Sequence, residues 1–145
     1  MKLNYDCVRD VLLTLEDTLD IKELTYNLGE GEESHFNFST TDIEIIAKHE
    51  RLKSYPKTDI FYSIHKLYEA DYIVAGQVNA ENLTRYLIQD ITYNGHEFLQ
   101  SIKSDTVWND VKKVSSKVGT MSFPIISSIA SNVIAKLIST SLGVG

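Results

Sequence analysis

The chain has 145 residues, 43% of them hydrophobic and 23% charged, enough for one domain with a real core and too apolar for a disordered chain. A single cysteine, Cys7, excludes an internal disulfide framework, and the opening "MKLNYDCVRD" has no apolar signal core, so a cytoplasmic location is expected. The net charge of −6 is uneven: residues 1–110 hold all 20 acids and 10 of the 14 bases, whereas residues 111–145 hold four lysines and no acid, a polarity that does not leave the net basic footprint of a nucleic-acid binder.

Asn4 to Leu19 reads as an amphipathic helix. Asn4 can cap it, Asp6 and Asp10 suit its positive end, and Val8, Val11, Leu12, Leu15 and Leu19 recur at helical spacing. From Ile21 the period shortens to two. "IKELTY" and "HFNFS" bracket the acidic, glycine-containing "GEGEES" and predict a hairpin. A helix is expected from about Thr41, where Ser or Thr can cap and Ile43, Ile46 and Ala47 supply the apolar side.

Tyr55-Pro56 forces a break, because the residue before proline avoids helical backbone while proline itself suits a first helical turn. The next helix should run from Pro56 to about Ala70. Ile60, Ile64 and Leu67 form its buried stripe, with Phe61 and Tyr68 at the flanks. Lys57, Thr58, Tyr62, His65 and Lys66 are left facing mainly outward. "YIVAGQV" (72–78) and "TRYLIQDI" (84–91) follow as strands joined by the polar "NAENL". Helix, strand, helix, helix, strand, strand is the order of a winged helix-turn-helix. The expected fold is therefore α+β and mainly helical, a winged helix-turn-helix domain over 1–104 with extra C-terminal helices over 105–145 that pack on it or mediate self-association.

The His96-Glu97 pair opens "HEFLQ", which lacks the second histidine that a His-Glu-x-x-His zinc site needs on one helical face. The pair therefore reads as scaffolding, with Asn94-Gly95 as the turn out of the last strand. Phe98, Leu99 and Ile102 form an apolar edge, and Val107, Trp108, Val111 and Val114 a second helical face, with Trp108 as a core anchor. In the last helix Ile126, Ile129, Val133 and Leu137 share one side and Ser127, Ser128, Ser131 and Lys136 the other. That segregation predicts a surface helix covering its own domain or a second subunit, rather than a membrane span whose polar side would face lipid.

Three stretches resemble a known family. "MKLNYDCVRDVLL" is similar to its opening helix. "YPKTDIFYSIHKLYEADYI" is similar to its Tyr-Ser-x-x-x-Ile-x-Tyr-His-Ile-x-x-Leu-x-Glu-Ala-Gly-Leu-Ile segment. "ITYNGHEFLQSIKSDTVWNDVKK" is similar to its Leu-Thr-x-x-Gly-His-Glu-Phe-Leu-Asp-x-Ile followed by Val-Trp. The family comprises small winged-helix-like proteins of Gram-positive bacteria and their prophages, known only as a domain of unknown function. Asp71 stands where the family usually has glycine, and Ser63 where histidine is frequent. The resemblance implies a fold and a phage or prophage setting, with no activity to transfer.

Two functions follow. The first is a phage-type winged-helix regulator, binding double-stranded DNA as a dimer. Lys57, Thr58, Tyr62, His65 and Lys66 of the recognition helix would approach phosphates and bases, with Arg85 near the wing. Asp59, Glu69 and Glu81 oppose it electrostatically. The second is a phage-origin module that keeps the scaffold without binding DNA, and meets or inhibits a host or phage protein through the acidic Glu30–Glu33 stretch and exposed aromatics. No nucleophile-base pair, phosphate loop or metal-ligand cluster is present, so neither an enzyme nor a cofactor is expected.

Overall fold

A computed structural model describes the backbone of residues 1–19, 21–25, 35–38 and 40–143, and side chains over 1–19 and 40–143. The expected acidic loop, including Glu30 to Glu33, lies outside the described residues. The chain is a mixed α+β structure with six helices and two two-stranded antiparallel sheets among the described residues. It divides into two compact units, Met1–Gly95 and His96–Gly145.

In the first unit, α1 (Tyr5–Thr18) begins as its sequence demands. The Asn4 side chain accepts from the Cys7 N–H at 3.2 Å, and Cys7, Val8, Val11, Leu12 and Leu15 turn inward. Strands β1 (Ile21–Thr25) and β2 (His35–Phe38) pair antiparallel, Ile21 opposite Phe38 and Thr25 opposite His35. Helix α2 (Ile43–Ile46) is a single turn capped by Asp42, shorter than the expected helix. The reason is local. Beyond Ile46 the bonds tighten to i→i+3 steps at His49 and Leu52, and the His49 ring accepts the Arg51 N–H at 3.2 Å, diverting a donor the helix would need.

Helix α3 (Lys57–Glu69) starts behind Pro56 and buries Ile60, Ser63, Ile64 and Leu67. It packs on α1, where Ser63 lies beside the Cys7 thiol. Ser63 satisfies its own hydroxyl by donating to the Asp59 carbonyl at 2.8 Å, and burial pushes the Cys7 thiol up to about 11. The Tyr55 hydroxyl donates to Asp10 at 2.7 Å and fastens the 47–55 segment to α1.

The C-terminus of α3 is a Schellman corner. Asp71 adopts φ 59, its N–H bonds the Tyr68 carbonyl at 3.1 Å, and the Tyr72 N–H bonds Leu67 at 2.9 Å. This is a backbone that glycine adopts without strain, in keeping with the glycine of the pattern that this stretch resembles. Asp71→Gly should raise the unfolding free energy by about 0.5 kcal/mol, since relief of left-handed strain exceeds the added freedom of the unfolded chain. A urea midpoint equal to or below that of the native chain would contradict this.

Strands β3 (Ile73–Ala80) and β4 (Leu83–Ile91) form a longer hairpin than the expected 72–78 and 84–91. Only Glu81 and Asn82 make the turn, both with positive φ (48 and 67), the backbone of a two-residue type I′ connection. A bulge at Gln89 shifts the register between Val74/Asp90 and Ala75/Ile88, so Ile88 and Ile91 both face the core despite their odd spacing. Thr41 makes a single-residue antiparallel bridge to β4, exchanging both backbone bonds with Ile88 at 2.9 and 2.7 Å.

The second unit takes over within α4 (Tyr93–Ile102) and continues with α5 (Asp105–Val118) and α6 (Phe123–Ser141). Ser104 and Ser122 cap α5 and α6, and Gly119 ends α5 at φ 82. Helices α5 and α6 fold back on one another. Phe98, Leu99, Ile102, Val107, Trp108, Val111, Ile126 and Ala130 are buried, and the Phe98 and Phe123 rings meet at 5.1 Å.

Candidate functional site

The expected DNA-facing residues lie together on α3 and the adjoining β4, but their charges are already used. Lys57 Nζ is 2.9 Å from Glu44, Lys66 Nζ is 2.8 Å from Glu69, and Arg85 pairs with Asp42. The carboxylate of Glu69 draws the Lys66 pKa upward, and Lys66 in turn lowers that of Glu69. Lys66 also sits over the Tyr62 ring, 5.2 Å from its centroid. Asp42 is held below the usual carboxylate range chiefly by the Arg85 guanidinium, assisted by the Ile45 N–H.

His65 is a joint between helix and hairpin. Its Nδ1 lies 2.5 Å from the Tyr86 hydroxyl and its Nε2 3.0 Å from Glu69. A carboxylate only accepts, so the contact with Glu69 favours a proton on Nε2, and in the neutral ring the Tyr86 hydroxyl then donates to Nδ1. Phe61, His65, Tyr68 and Tyr86 form one ring cluster with centroids 5.0 to 6.3 Å apart. Both ring nitrogens of His65 are thus engaged within the chain. Thr58 is exposed at the start of α3, and Tyr62 is half-buried.

Along this face three full cations, Lys57, Lys66 and Arg85, meet three carboxylates, Glu44, Glu69 and Asp42. Asp42 and Glu44 are the residues that sequence reasoning missed. The sequence offers Ser or Thr as the cap of this helix, whereas Asp42 makes it, and the partner of Asp42 stands 43 positions away. The outer side of the β3–β4 hairpin mixes apolar side chains with Arg85 and Asp90, which stand across from Val78 and Val74. Val74, Val78 and Leu83 are 44%, 47% and 73% exposed, with Leu87 between them in register with Gly76.

The "TYNGHEF" stretch is a corner. Thr92, rather than Asn94-Gly95, makes the passage from strand to helix, because its hydroxyl accepts the Gly95 N–H at 3.0 Å and starts α4 at Tyr93. The same hydroxyl donates to the Asp71 carbonyl at 2.6 Å, while the Thr92 N–H bonds the Tyr72 carbonyl at 3.0 Å. His96 and Glu97 both lie exposed, and among the described residues no three His, Cys, Asp or Glu side chains gather to hold a metal.

Of the expected self-association residues, Ile126 is fully buried and withdrawn from any surface; Ile129 and Val133 are half-buried, and Leu137 is 43% exposed. Val114, expected inside, is 38% exposed and lines an open groove with them. By length and composition, α6 is long and apolar enough to cross a membrane.

An uncharacterized protein of Haemophilus influenzae is 28% identical over 139 residues, covering 95% of this chain and 99% of that protein. No solved structure matches significantly. The family described as hypothetical protein (DUF2513) matches residues 2–122, and the chain belongs to it.

Proposed function

We propose that the chain is a non-catalytic protein-interaction module on a winged-helix scaffold. The scaffold reading is supported by the exposed side of α3, the β3–β4 hairpin with its two-residue turn, and the single-residue bridge of Thr41 to β4. The observation that carries the function is the pairing of Lys57, Lys66 and Arg85 with carboxylates. A phosphate would have to displace these partners and then lie beside them. With no net release of counterions, the main source of affinity for a duplex is lost. The exposed Val74, Val78 and Leu83 of the hairpin are instead suited to a protein surface.

A titration of fluorescent mixed-sequence duplex DNA at low and physiological salt tests this. The native chain should show no saturable binding tighter than about 100 µM at physiological salt, the weak end of non-specific association. Glu44→Gln with Glu69→Gln, which frees Lys57 and Lys66, should tighten it. In parallel, Val78→Asp with Leu83→Asp should release protein partners retained by the immobilised native chain. Micromolar, salt-sensitive DNA binding by the native chain that is lost in Lys57→Glu with Lys66→Glu would overturn the proposal. That outcome would establish the second reading, a winged-helix DNA regulator, which the exposed Lys57-Thr58 end of α3 beside the hairpin favours.

A further inference from the structure

The second unit gathers in one place positive charge that no carboxylate meets. Lys113 and Lys117, one helical turn apart on α5, and Lys136 on α6 have no ion-pair partner among the described residues. They frame an open groove of about 550 Å³ between the two helices, with Val114, Val133 and Leu137 along it. We infer that this groove binds an amphipathic helix of a partner protein, with its apolar side on the groove floor and glutamates or aspartates against the three lysines. The inference goes beyond the reading of the α3 face and stands whichever macromolecule the first unit meets.

Shape and charge select this occupant. Two antiparallel helices with a lengthwise furrow accept a third helix through apolar residues spaced i, i+3 or i+4, and i+7. A second copy is disfavoured, since two-fold pairing through this furrow would set three lysines against the same three lysines. A lipid surface is disfavoured because the apolar side chains line a recess rather than a ridge, and the carboxylate of Asp110 lies within it. One carboxylate against three ammonium groups leaves the groove cationic.

The full-length chain can be titrated against a fluorescent designed helical peptide with leucines at those spacings and glutamates flanking them. A control peptide carries lysines in place of the glutamates. The acidic peptide should bind at least about tenfold tighter than the control, and Lys113→Glu with Lys117→Glu should erase that preference. Val133→Asp should abolish binding of both peptides, while circular dichroism reports an unchanged fold for the exposed lysine variants. Equal affinity for the two peptides, or none for either, overturns the inference. So does sedimentation with phosphatidylserine vesicles in place of peptide binding, or concentration-dependent self-association that Lys113→Glu with Lys117→Glu strengthens. The DNA titration is read separately, so failure here leaves the reading of the α3 face intact.

Discussion

Replacing Gly95 by alanine is expected to destabilise the first unit by about 3 kcal/mol or more, the upper range for overpacking. A Cβ at this position would lie 2.0 Å from the Tyr72 carbonyl oxygen, 2.9 Å from its carbon and 2.8 Å from Ile91 Cγ2. The carbonyl cannot simply retreat. It accepts the Thr92 N–H at 3.0 Å, and the N–H of the same residue closes α3 on Leu67 at 2.9 Å. Relief at Gly95 would therefore loosen the end of one helix and the cap of another. Alanine's better helix propensity returns only about 1 kcal/mol. Gly76→Ala is the control, because a Cβ there meets nothing within 4 Å, and its effect should stay within about 0.5 kcal/mol. Urea unfolding at unchanged slope measures both, and a loss below about 1 kcal/mol for Gly95→Ala would contradict the packing described.

Asp42→Ala should cost about 2–3 kcal/mol, from a lost helix cap and a lost charge-assisted bond. The carboxyl side chain is 9% exposed, accepts the Ile45 N–H at 3.1 Å and pairs with Arg85. Arg85 is 60% exposed, so solvent screens the pair and it contributes less than a buried one. Because the folded carboxyl has a lowered pKa, the native state holds the proton more weakly than the unfolded chain. Its stabilisation is therefore fully present above the unfolded pKa of about 4 and is lost as pH falls through the lower folded value. Asp42→Asn keeps a capping oxygen but removes the titration. The native chain should lose more stability than Asp42→Asn between about pH 5 and pH 2. Parallel pH dependences would show that the Arg85 contact does not stabilise the fold.

Helical periodicity and caps made much of the first unit legible. Asn4 with the Val8-to-Leu15 stripe marked α1, and Pro56 with Ile60, Ile64 and Leu67 marked α3. Errors arose where a side chain competed with the backbone or where regular spacing was broken. His49 stopped a helix that its apolar neighbours would have continued. Glu81-Asn82 lacks the glycine that normally announces a tight hairpin, so paired residues on either side read as loop. The Gln89 bulge removed the alternation that would have set the inner side of β4.

The candidate sites were legible as residue types but not as electrostatics. Lys57, Lys66 and Arg85 looked available because their nearest carboxylates, at 44, 69 and 42, belong to a turn, a helix end and a cap. The lysines at 113 and 117 stood in plain view at helical spacing, yet their significance required knowing that α6 folds back beside them. The family pattern around Gly95 is likewise structural. Thr92 and Gly95 hold one corner together, while the neighbouring His96 and Glu97 project into solvent.

The sealed thiol between α1 and α3 gives the chain a built-in clock. Cys7 is fully buried and its proton is held tightly, so a labelling reagent in neutral buffer reaches a competent sulfur only after the surrounding helices separate. With no other cysteine to label, the rate of modification counts those separations directly. Any substitution in the first unit can thus be ranked in native buffer, without denaturant and without an engineered cysteine.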